Sequence, residues 1–586
     1  MLRSTRGRMQ TYIGLFFAQF ILIIIITILL ILIGFGANLL IEAQTAKTST
    51  DTGSSPTQSL NITDSTFPVP GKMSSKIDCA DLATRDFSRI PDAETKIMYA
   101  TLVTSSTNSP PTCKITGTTA PNAMFIIELP VNNWNGDYFQ GGCGGLCGLL
   151  REPAECTTAL GRGAAIGYSD LGHQSSSLND ASWALPENSR IDFAHHANHA
   201  LALVAKQIIN TYYGQEPRYS YFIGCSDGGR EGLMEAQRYP DDFHGIVTGA
   251  PAAILSPLNY FKHSWDAQIN LDSRGKSILD VNKLPVLHNA VMKTCDSLDG
   301  ATDGLLLEPR VCTFDPTTLQ CPNDIDAPNC LTKEQIAVVN KIYSGPVDDR
   351  GNYYYPGGQV YGSELGWIDW VVSPSGDNLT LGKSIADAFV GYMSMPLDKQ
   401  GTNLGALDVN FTQQAFDSIR AMANVYDATN PDMSKFQAYG GKLILYHGFS
   451  DPSIVPTGTL AYYAVMVKQM GELDATQNFA RLFMFPGVYH CGGGYGPSHF
   501  DMVTAISAWV EHGIAPDKIM AIQYSSDGGQ EVGATSNDGP KPKSGKQTTG
   551  QILPTGGGSN STSGKVIRTL PAYPILWCPS SLVRVM

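Results

Sequence analysis

Two short stretches, far apart in the chain, carry residues that could do chemistry together. Residues 224–228 read GCSDG, and this Gly-x-Ser-x-Gly pattern is typical of a nucleophile elbow, in which a serine occupies a strained strand-to-helix turn. Residues 486–491 read PGVYHC and contain His490. A serine hydroxyl becomes a good nucleophile only when a base takes its proton. Ser226 and His490 are therefore candidates for a nucleophile and its base. A disulfide between Cys225, next to Ser226, and Cys491, next to His490, would join the two loops.

An acidic residue between these two stretches completes the pattern. The base needs a carboxylate to fix its tautomer, and α/β hydrolases place their triad in the chain order serine, acid, histidine. Asp451 follows the apolar run 443–446, and His490 follows the apolar run 482–485. Taken singly, Asp451 is explained as a helix cap and His490 as a loop residue. The three residues in this order predict a Ser226–Asp451–His490 triad.

A hydrolase of this kind also needs N–H donors for the oxyanion that forms on the substrate. The amide of Asp227, directly after the nucleophile, is one candidate. The glycine-rich turn 141–148 (GGCGGLCG) is the candidate for the other, since small residues let the backbone approach a substrate. A simple tight loop is the alternative interpretation of those glycines.

The elements that must position these residues alternate between strands and helices. The sequence predicts an α/β fold with a mostly parallel sheet. The alternation of strands and helices stops after residue 251 and resumes near residue 441. This predicts one catalytic domain, formed by residues 78–251 and 441–573, with a lid inserted at residues 252–440. The predicted strands are 123–131, 138–140, 164–168, 219–224, 245–248, 442–448, 480–486 and 521–524, and the predicted helices are 191–213, 229–239 and 500–512.

The amino terminus carries a long apolar segment. Residues 12–41 are long enough to cross a bilayer as a helix, and Arg3, Arg6 and Arg8 precede it. This predicts a signal anchor with residues 1–11 in the cytosol. A cleaved signal peptide is the alternative, although the run exceeds the usual apolar length of such peptides. Residues 42–77 are predicted to be a Ser/Thr-rich stalk, and residues 574–586 form an atypical tail to which no function is assigned.

The amino-acid composition indicates the cellular compartment and excludes one class of partner. A formal net charge of −13 argues against nucleic acid as a partner. The 12 cysteines fit an oxidising compartment, and four Asn-x-Ser/Thr sequons could accept glycans. We expect a glycoprotein on the extracellular face of a membrane, or secreted if the anchor is cleaved. The sequons are at Asn61, Asn378, Asn410 and Asn560.

Together these motifs resemble the tannase and feruloyl esterase family of serine esterases, which includes a bacterial mono(hydroxyethyl) terephthalate hydrolase. The matching stretches are 224–230, 446–451 and 486–494, and the resemblance extends over roughly residues 79 to 573. It implies an α/β-hydrolase fold with an inserted lid. It also implies a triad of Ser226, Asp451 and His490, with oxyanion donors at Gly145 and Asp227.

The same resemblance implies disulfide pairings that spacing alone does not give. It leaves Cys143, Cys147, Cys156 and Cys578 unassigned. The implied pairs are Cys79–Cys113, Cys225–Cys491, Cys295–Cys312 and Cys321–Cys330.

An acidic loop in the lid has the ligand types that Ca²⁺ prefers. Residues 295–305 (CDSLDGATDGL) place three carboxylates close together, with glycines that permit sharp turns. A solvated acidic turn is the alternative interpretation. The resemblance implies a structural Ca²⁺ held by Asp296, Asp299 and Asp303 side chains and by the Ala301 and Leu305 carbonyls.

The function expected from these features is carboxylic ester hydrolysis through an acyl-enzyme on Ser226. The resemblance implies small-molecule, cell-wall or polyphenol substrates, such as feruloyl or galloyl esters. Two alternatives stay open: an acyltransferase that uses the same triad, and a catalytically inactive hydrolase-fold ectodomain that only binds.

Overall fold

A nine-stranded mixed sheet forms the centre of the protein. The structure is a computed structural model and describes residues 71–104, 111–399, 401–524 and 565–573. The strand order is β1-β2-β3-β5-β4-β6-β7-β8-β9. The strands are β1 Thr95–Val103, β2 Thr112–Thr119, β3 Ala123–Pro130, β4 Asp137–Gly141, β5 Ala165–Ser169, β6 Tyr219–Cys225, β7 Gly245–Gly249, β8 Lys442–Gly448 and β9 Ala480–Phe485.

Six neighbouring strands of this sheet, from β5 to β9, run parallel, and β1, β2 and β3 add an antiparallel edge. The predicted α/β class and mostly parallel sheet are therefore confirmed. β1 and β2 were not predicted from the sequence. A second sheet of three antiparallel strands contains β10 His499–Phe500, β11 Lys518–Tyr524 and β12 Lys565–Pro571.

Helices cover both faces of the large sheet, as parallel strands require. Alternate residues of β6 show this: Phe222 packs in one hydrophobic cluster, and Tyr221 and Ile223 pack in another on the opposite face. The helices are α1 Ala154–Gly161, α2 Glu187–Ile191, α3 Ala197–Tyr213, α4 Asp227–Arg238, α5 Leu255–Pro257, α6 His263–Ile269, α7 Leu284–Cys295, α8 Lys333–Ser344, α9 Leu381–Ala388, α10 Gln413–Tyr426, α11 Ser434–Ala438, α12 Pro456–Gln469, α13 Glu472–Gln477 and α14 Met502–His512.

The helix predicted over 191–213 is interrupted at its start by a π-helix, Asp192–His196. Two further π-helices, Leu258–Lys262 and Phe389–Met393, lie in the insertion. Among the described residues, no strand of the large sheet lies between β7 and β8, and α5 to α11 fill this segment. The exact division into catalytic domain and lid at residues 252 and 440 stays a prediction.

The amino-terminal predictions fall on residues that the structure does not describe. The cytosolic segment 1–11, the membrane helix 12–41, the stalk up to residue 70 and the tail 574–586 all lie outside the described ranges. None of the described helices combines the length and the apolar character needed to cross a bilayer. The signal anchor therefore stays a prediction.

Candidate active site

Ser226 occupies a sharp turn between β6 and α4. Its φ of 66° and ψ of −124° lie in a region that non-glycine residues rarely adopt, and such strain clusters at functional sites. The flanking glycines are needed because the backbone is crowded here. A Cβ atom at Gly224 would lie 2.5 Å from the carbonyl oxygen of Gly228. The sequence thus folds locally into the predicted elbow.

The structure brings the three predicted triad residues into one hydrogen-bonded chain. The Nε2 atom of His490 lies 2.9 Å from Ser226 Oγ, and its Nδ1 atom lies 2.8 Å from Asp451 Oδ2. Nδ1–H donates to the carboxylate, which leaves Nε2 to accept the serine proton. Asp451 follows β8 and His490 follows β9, at the carboxyl ends of neighbouring parallel strands.

His447, at the end of β8, is also hydrogen-bonded to the triad, and no role was assigned to it from the sequence. Its Nε2–H donates to Asp451 Oδ2 at 3.1 Å and to the Ile454 carbonyl at 2.8 Å. The Thr459 hydroxyl donates to its Nδ1 at 2.8 Å. His447 lies within the 446–451 motif, four residues before Asp451, so the signal was present in the sequence.

The carboxylate of Asp451 is completely buried and fully hydrogen-bonded. Its Oδ1 accepts the backbone N–H groups of Ser453 and Ile454, at 2.8 and 3.0 Å. Burial by itself would raise the pKa of Asp451, but His490 and His447 outweigh it and hold that pKa well below its usual range. Asp451 therefore remains ionised at neutral pH.

The glycine-rich turn packs against the start of α4, beside the nucleophile. A Cβ atom at Gly142 would lie 2.7 Å from Gly228 Cα, and Gly145 has a φ of +61°. Among the described residues, the amide N–H groups of Gly145 and Asp227 have no backbone or side-chain acceptor. Four nearby amides are engaged: Gly142 donates to Ile223, Cys143 to Glu231, Leu146 to Leu178 and Cys147 to Gly144. Among the described residues, the Gly144 amide also has no acceptor.

Disulfides hold this region together. The bond between Cys225 and Cys491 joins the loop of the nucleophile to the loop of the histidine. Cys79–Cys113, Cys295–Cys312 and Cys321–Cys330 are paired as the resemblance implied. A further bond, Cys143–Cys147, closes the glycine-rich turn, and the buried Cys156 is free. Cys578 lies outside the described residues.

Comparison with known sequences decides the family. The sequence model of tannase and feruloyl esterase matches residues 105–551, which is more than half of the chain. The chain belongs to the tannase and feruloyl esterase family. The resemblance inferred from the three motifs is thereby confirmed.

Relatives match at least two thirds of this member of the tannase and feruloyl esterase family. An uncharacterized esterase of Xanthomonas campestris is 32% identical over 71% of this chain and 78% of its own. The mono(2-hydroxyethyl) terephthalate hydrolase of Piscinibacter sakaiensis is 32% identical over 68% of this chain and 74% of its own. The crystal structure of feruloyl esterase B from Aspergillus oryzae superimposes with a TM-score of 0.66, at 26% identity, over 77% of this chain and 94% of that one. The chain is a carboxylic ester hydrolase of the tannase and feruloyl esterase type.

An aromatic side chain of the insertion lies against the histidine of this esterase. The Trp370 ring centroid is 5.6 Å from that of His490, edge to face, and Trp370 is only partly buried. The ring centroid of His263 lies 6.5 Å from that of Trp370, and burial lowers the pKa of His263 to about 3. Trp367 is completely buried in the insertion core. Of these two tryptophans, Trp370 is the one that lies against His490.

The predicted calcium ligands lie together in the loop after α7, but their carboxylates accept backbone N–H groups. Asp296 accepts from Asp303 and Gly304, and Asp299 accepts from Ala301. Asp303 pairs with Arg568. A different group brings its metal-ligating atoms closer together. In the described ranges, it is the one group of three or more side chains with all these atoms within 4.8 Å of each other, and it consists of Cys143, Cys147, Asp227 and Glu231. The two sulfurs of that group are bonded to each other, so they are not free to bind an ion.

Proposed function

We propose that this esterase hydrolyses esters of aromatic carboxylic acids through a Ser226–His490–Asp451 triad and an acyl-enzyme. The observation that carries the proposal is the hydrogen-bonded chain from Ser226 Oγ through the His490 ring to Asp451. The strained turn at Ser226 and the strand-end positions of Asp451 and His490 support an α/β-hydrolase arrangement.

In the first half of the reaction, Ser226 Oγ attacks the ester carbonyl carbon while His490 Nε2 takes the hydroxyl proton. The amides of Gly145 and Asp227 donate to the oxygen that becomes negatively charged. The C–O bond to the alcohol then breaks, and His490 returns the proton to the leaving alcohol. Ser226 is left as an ester of the acid.

In the second half, water repeats the attack on the acyl-enzyme with His490 as the base, and the free acid leaves. Asp451 serves both halves, because its buried carboxylate orients the imidazole and stabilises the imidazolium. The depressed pKa of Asp451 keeps that carboxylate charged throughout.

The aromatic nature of the substrate is supported by Trp370. Its ring lies against His490 and the residue is partly exposed, so the planar ring of an acyl group can pack on it beside the reacting carbonyl. Relatives named for feruloyl and mono(2-hydroxyethyl) terephthalate esters act on esters of aromatic acids. We expect feruloyl, galloyl or terephthaloyl esters to be hydrolysed faster than aliphatic esters of equal length.

The full-length protein tests this proposal with p-nitrophenyl acetate and with methyl esters of ferulic, gallic and terephthalic acid. Ser226→Ala should abolish hydrolysis of all of them. Ser220→Ala changes a buried serine on β6, the strand that precedes Ser226, and is the matched control that should retain hydrolysis. An inactive wild type would favour a binding ectodomain, and acyl transfer to an added alcohol in place of hydrolysis would favour an acyltransferase.

We also propose that the loop 296–305 binds a structural Ca²⁺. Its donor set supports this, since three carboxylates and the carbonyls of Ala301 and Leu305 are all oxygen ligands. In the described residues, no backbone N–H donates to either carbonyl. The Cys295–Cys312 bond closes the loop. The loop also packs against the histidine loop, because Leu305 fills the space beside Gly487.

Location outside the cytosol, on a membrane or after secretion, is the final part of the proposal. Five disulfides in the described residues support an oxidising compartment. Asn410 is exposed and open to a glycan, whereas the Nδ2 atom of Asn378 is buried. Mass spectrometry of the mature protein would show whether residues 12–41 remain, and a mature amino terminus beyond residue 41 would contradict the signal anchor.

A further inference from the structure

The turn that carries Gly145 is closed into a small covalent ring. The bond between Cys143 and Cys147 spans a sequence separation of 4 and encloses Gly144, Gly145 and Leu146. Two glycines in a row would leave such a turn with many open-chain conformations. The ring removes most of them.

Non-covalent contacts fix the same ring against the body of the protein. Within it, the Cys147 amide donates to the Gly144 carbonyl at 3.0 Å. The Leu146 amide donates outward to the Leu178 carbonyl at 2.7 Å. A Cβ atom at Gly145 would lie 2.7 Å from Leu178, so the backbone is already in close contact there. The free amide of Gly145 thus belongs to a tightly held segment.

Glu231 connects this ring to the helix of the nucleophile. Its Oε1 accepts the Cys143 amide at 3.1 Å, and its Oε2 accepts the Asn198 side-chain amide at 2.7 Å. Glu231 lies on α4, which begins directly after Ser226, and it is 2% exposed. One helix therefore positions both the serine and the turn opposite it.

The first turn of α4 is itself held from the other side. Arg230, completely buried, forms two hydrogen bonds with the Asp227 carboxylate, at 2.6 and 2.9 Å. It also donates to the carbonyls of Phe193 and Ala194 in the π-helix. The backbone of Asp227, whose amide is the second oxyanion donor, is anchored through this side chain.

We propose that the Cys143–Cys147 disulfide and Glu231 are positioning groups for the oxyanion hole. They hold the Gly145 amide at a fixed place relative to Ser226 and to the Asp227 amide. This inference rests on the proposed function. Donors fixed before the reaction stabilise the transition state without a cost of reorganisation, whereas a loose turn would have to be ordered in each turnover.

The predicted consequence is a loss of rate without a loss of substrate binding. Full removal of one oxyanion donor lowers kcat by about 100- to 1,000-fold. Loosening the turn keeps the donor but makes its position variable, so we expect kcat to fall about 10- to 100-fold in Cys143→Ser/Cys147→Ser, with KM unchanged.

The experiment compares this double variant with Cys321→Ser/Cys330→Ser, which opens another short disulfide ring in the insertion. Both full-length variants are assayed for kcat and KM on a p-nitrophenyl ester and for inhibition by a trifluoromethyl ketone, which forms a tetrahedral adduct on the serine. In the 143/147 variant, the inhibition constant should rise by the same factor by which kcat/KM falls. In the 321/330 variant, the inhibition constant and kcat/KM should both stay near their wild-type values.

Glu231 gives a second pair of variants that does not depend on the disulfide. Burial and the nearby Asp227 raise the pKa of Glu231 to about 8, and glutamine keeps the length of the side chain and one oxygen that can accept the Cys143 amide. Glu231→Met removes the acceptor of the Cys143 amide and should lower kcat. Glu231→Gln retains an oxygen acceptor and should recover most of that loss.

Equal kcat values in the two disulfide variants would overturn the proposal, as would equal losses in Glu231→Met and Glu231→Gln. If Cys143→Ser/Cys147→Ser does not fold, the Glu231 pair alone decides. A wild type that hydrolyses no ester, or a Ser226→Ala variant that remains active, would instead overturn the proposed function and this inference with it.

Discussion

Replacing His447 tests how much its hydrogen bond to Asp451 contributes to catalysis by the triad. His447 donates to the same Asp451 oxygen that receives His490, and it is completely buried. His447→Phe keeps a similar shape but removes this donor. A hydrogen bond to a charged group contributes about 1.5–3 kcal/mol. At 1.36 kcal/mol for each factor of ten, full loss of that energy from the transition state lowers kcat by about 10- to 150-fold.

This figure is an upper bound, because three donors to Asp451 remain: His490, Ser453 and Ile454. KM should not change, since His447 is buried and does not reach the substrate. Loss of the His447 donor also raises the pKa of Asp451 towards its ordinary value. The carboxylate then becomes protonated at a higher pH than in wild type.

The assay is the kcat–pH profile of wild type, His447→Phe and His447→Gln on a p-nitrophenyl ester, below the unfolding temperature of each. Glutamine can place an N–H near the position of Nε2 and should restore part of the rate. A His447→Phe variant whose kcat stays within about twofold of wild type across the profile would show that the His447 donor contributes nothing to catalysis.

Three further predictions concern stability. Burial and Glu511 raise the pKa of Asp137 to about 7, so the folded state retains a proton that the unfolded state loses near pH 4, and the unfolding free energy falls as pH rises between these values. The unfolding free energy of Asp137→Asn minus that of wild type should therefore be larger at pH 8 than at pH 5. Equal differences at both pH values would contradict this. Cys225→Ser/Cys491→Ser should lower the unfolding free energy by up to about 5 kcal/mol for a sequence separation of 266, measured by denaturant unfolding; an unchanged midpoint would contradict it. A calcium chelator should lower the unfolding temperature, with recovery on adding Ca²⁺ but not Mg²⁺, and an unchanged melting curve would remove the calcium proposal.

The parallel part of the sheet was predictable because its strands are buried on both faces and form short apolar runs between helices. Residues 219–224 and 442–448 are of this kind, and the triad residues follow such strands. β1 and β2 were missed since their residues are Thr-rich and β1 is largely exposed along its second half, which gives no continuous apolar run.

Other features depend on contacts between distant residues. The helix at 191–213 was predicted, but its π-helical start is bonded by Arg230, which lies on another helix. The Cys143–Cys147 bond could not be deduced because spacing does not fix pairing. His447 stood inside a recognised motif, yet its role became visible only when its ring was seen to share the Asp451 oxygen.

Detection of the acyl-enzyme on Ser226 is the measurement that decides the proposed mechanism. Wild type and Ser226→Ala are mixed with an excess of p-nitrophenyl ester, quenched with acid within the first turnovers and analysed by peptide mass spectrometry. We expect the wild-type peptide containing Ser226 to carry the acyl group, and Ser226→Ala to carry none and to release no burst of p-nitrophenol. An acyl group on another residue, or an undiminished rate in Ser226→Ala, would contradict it.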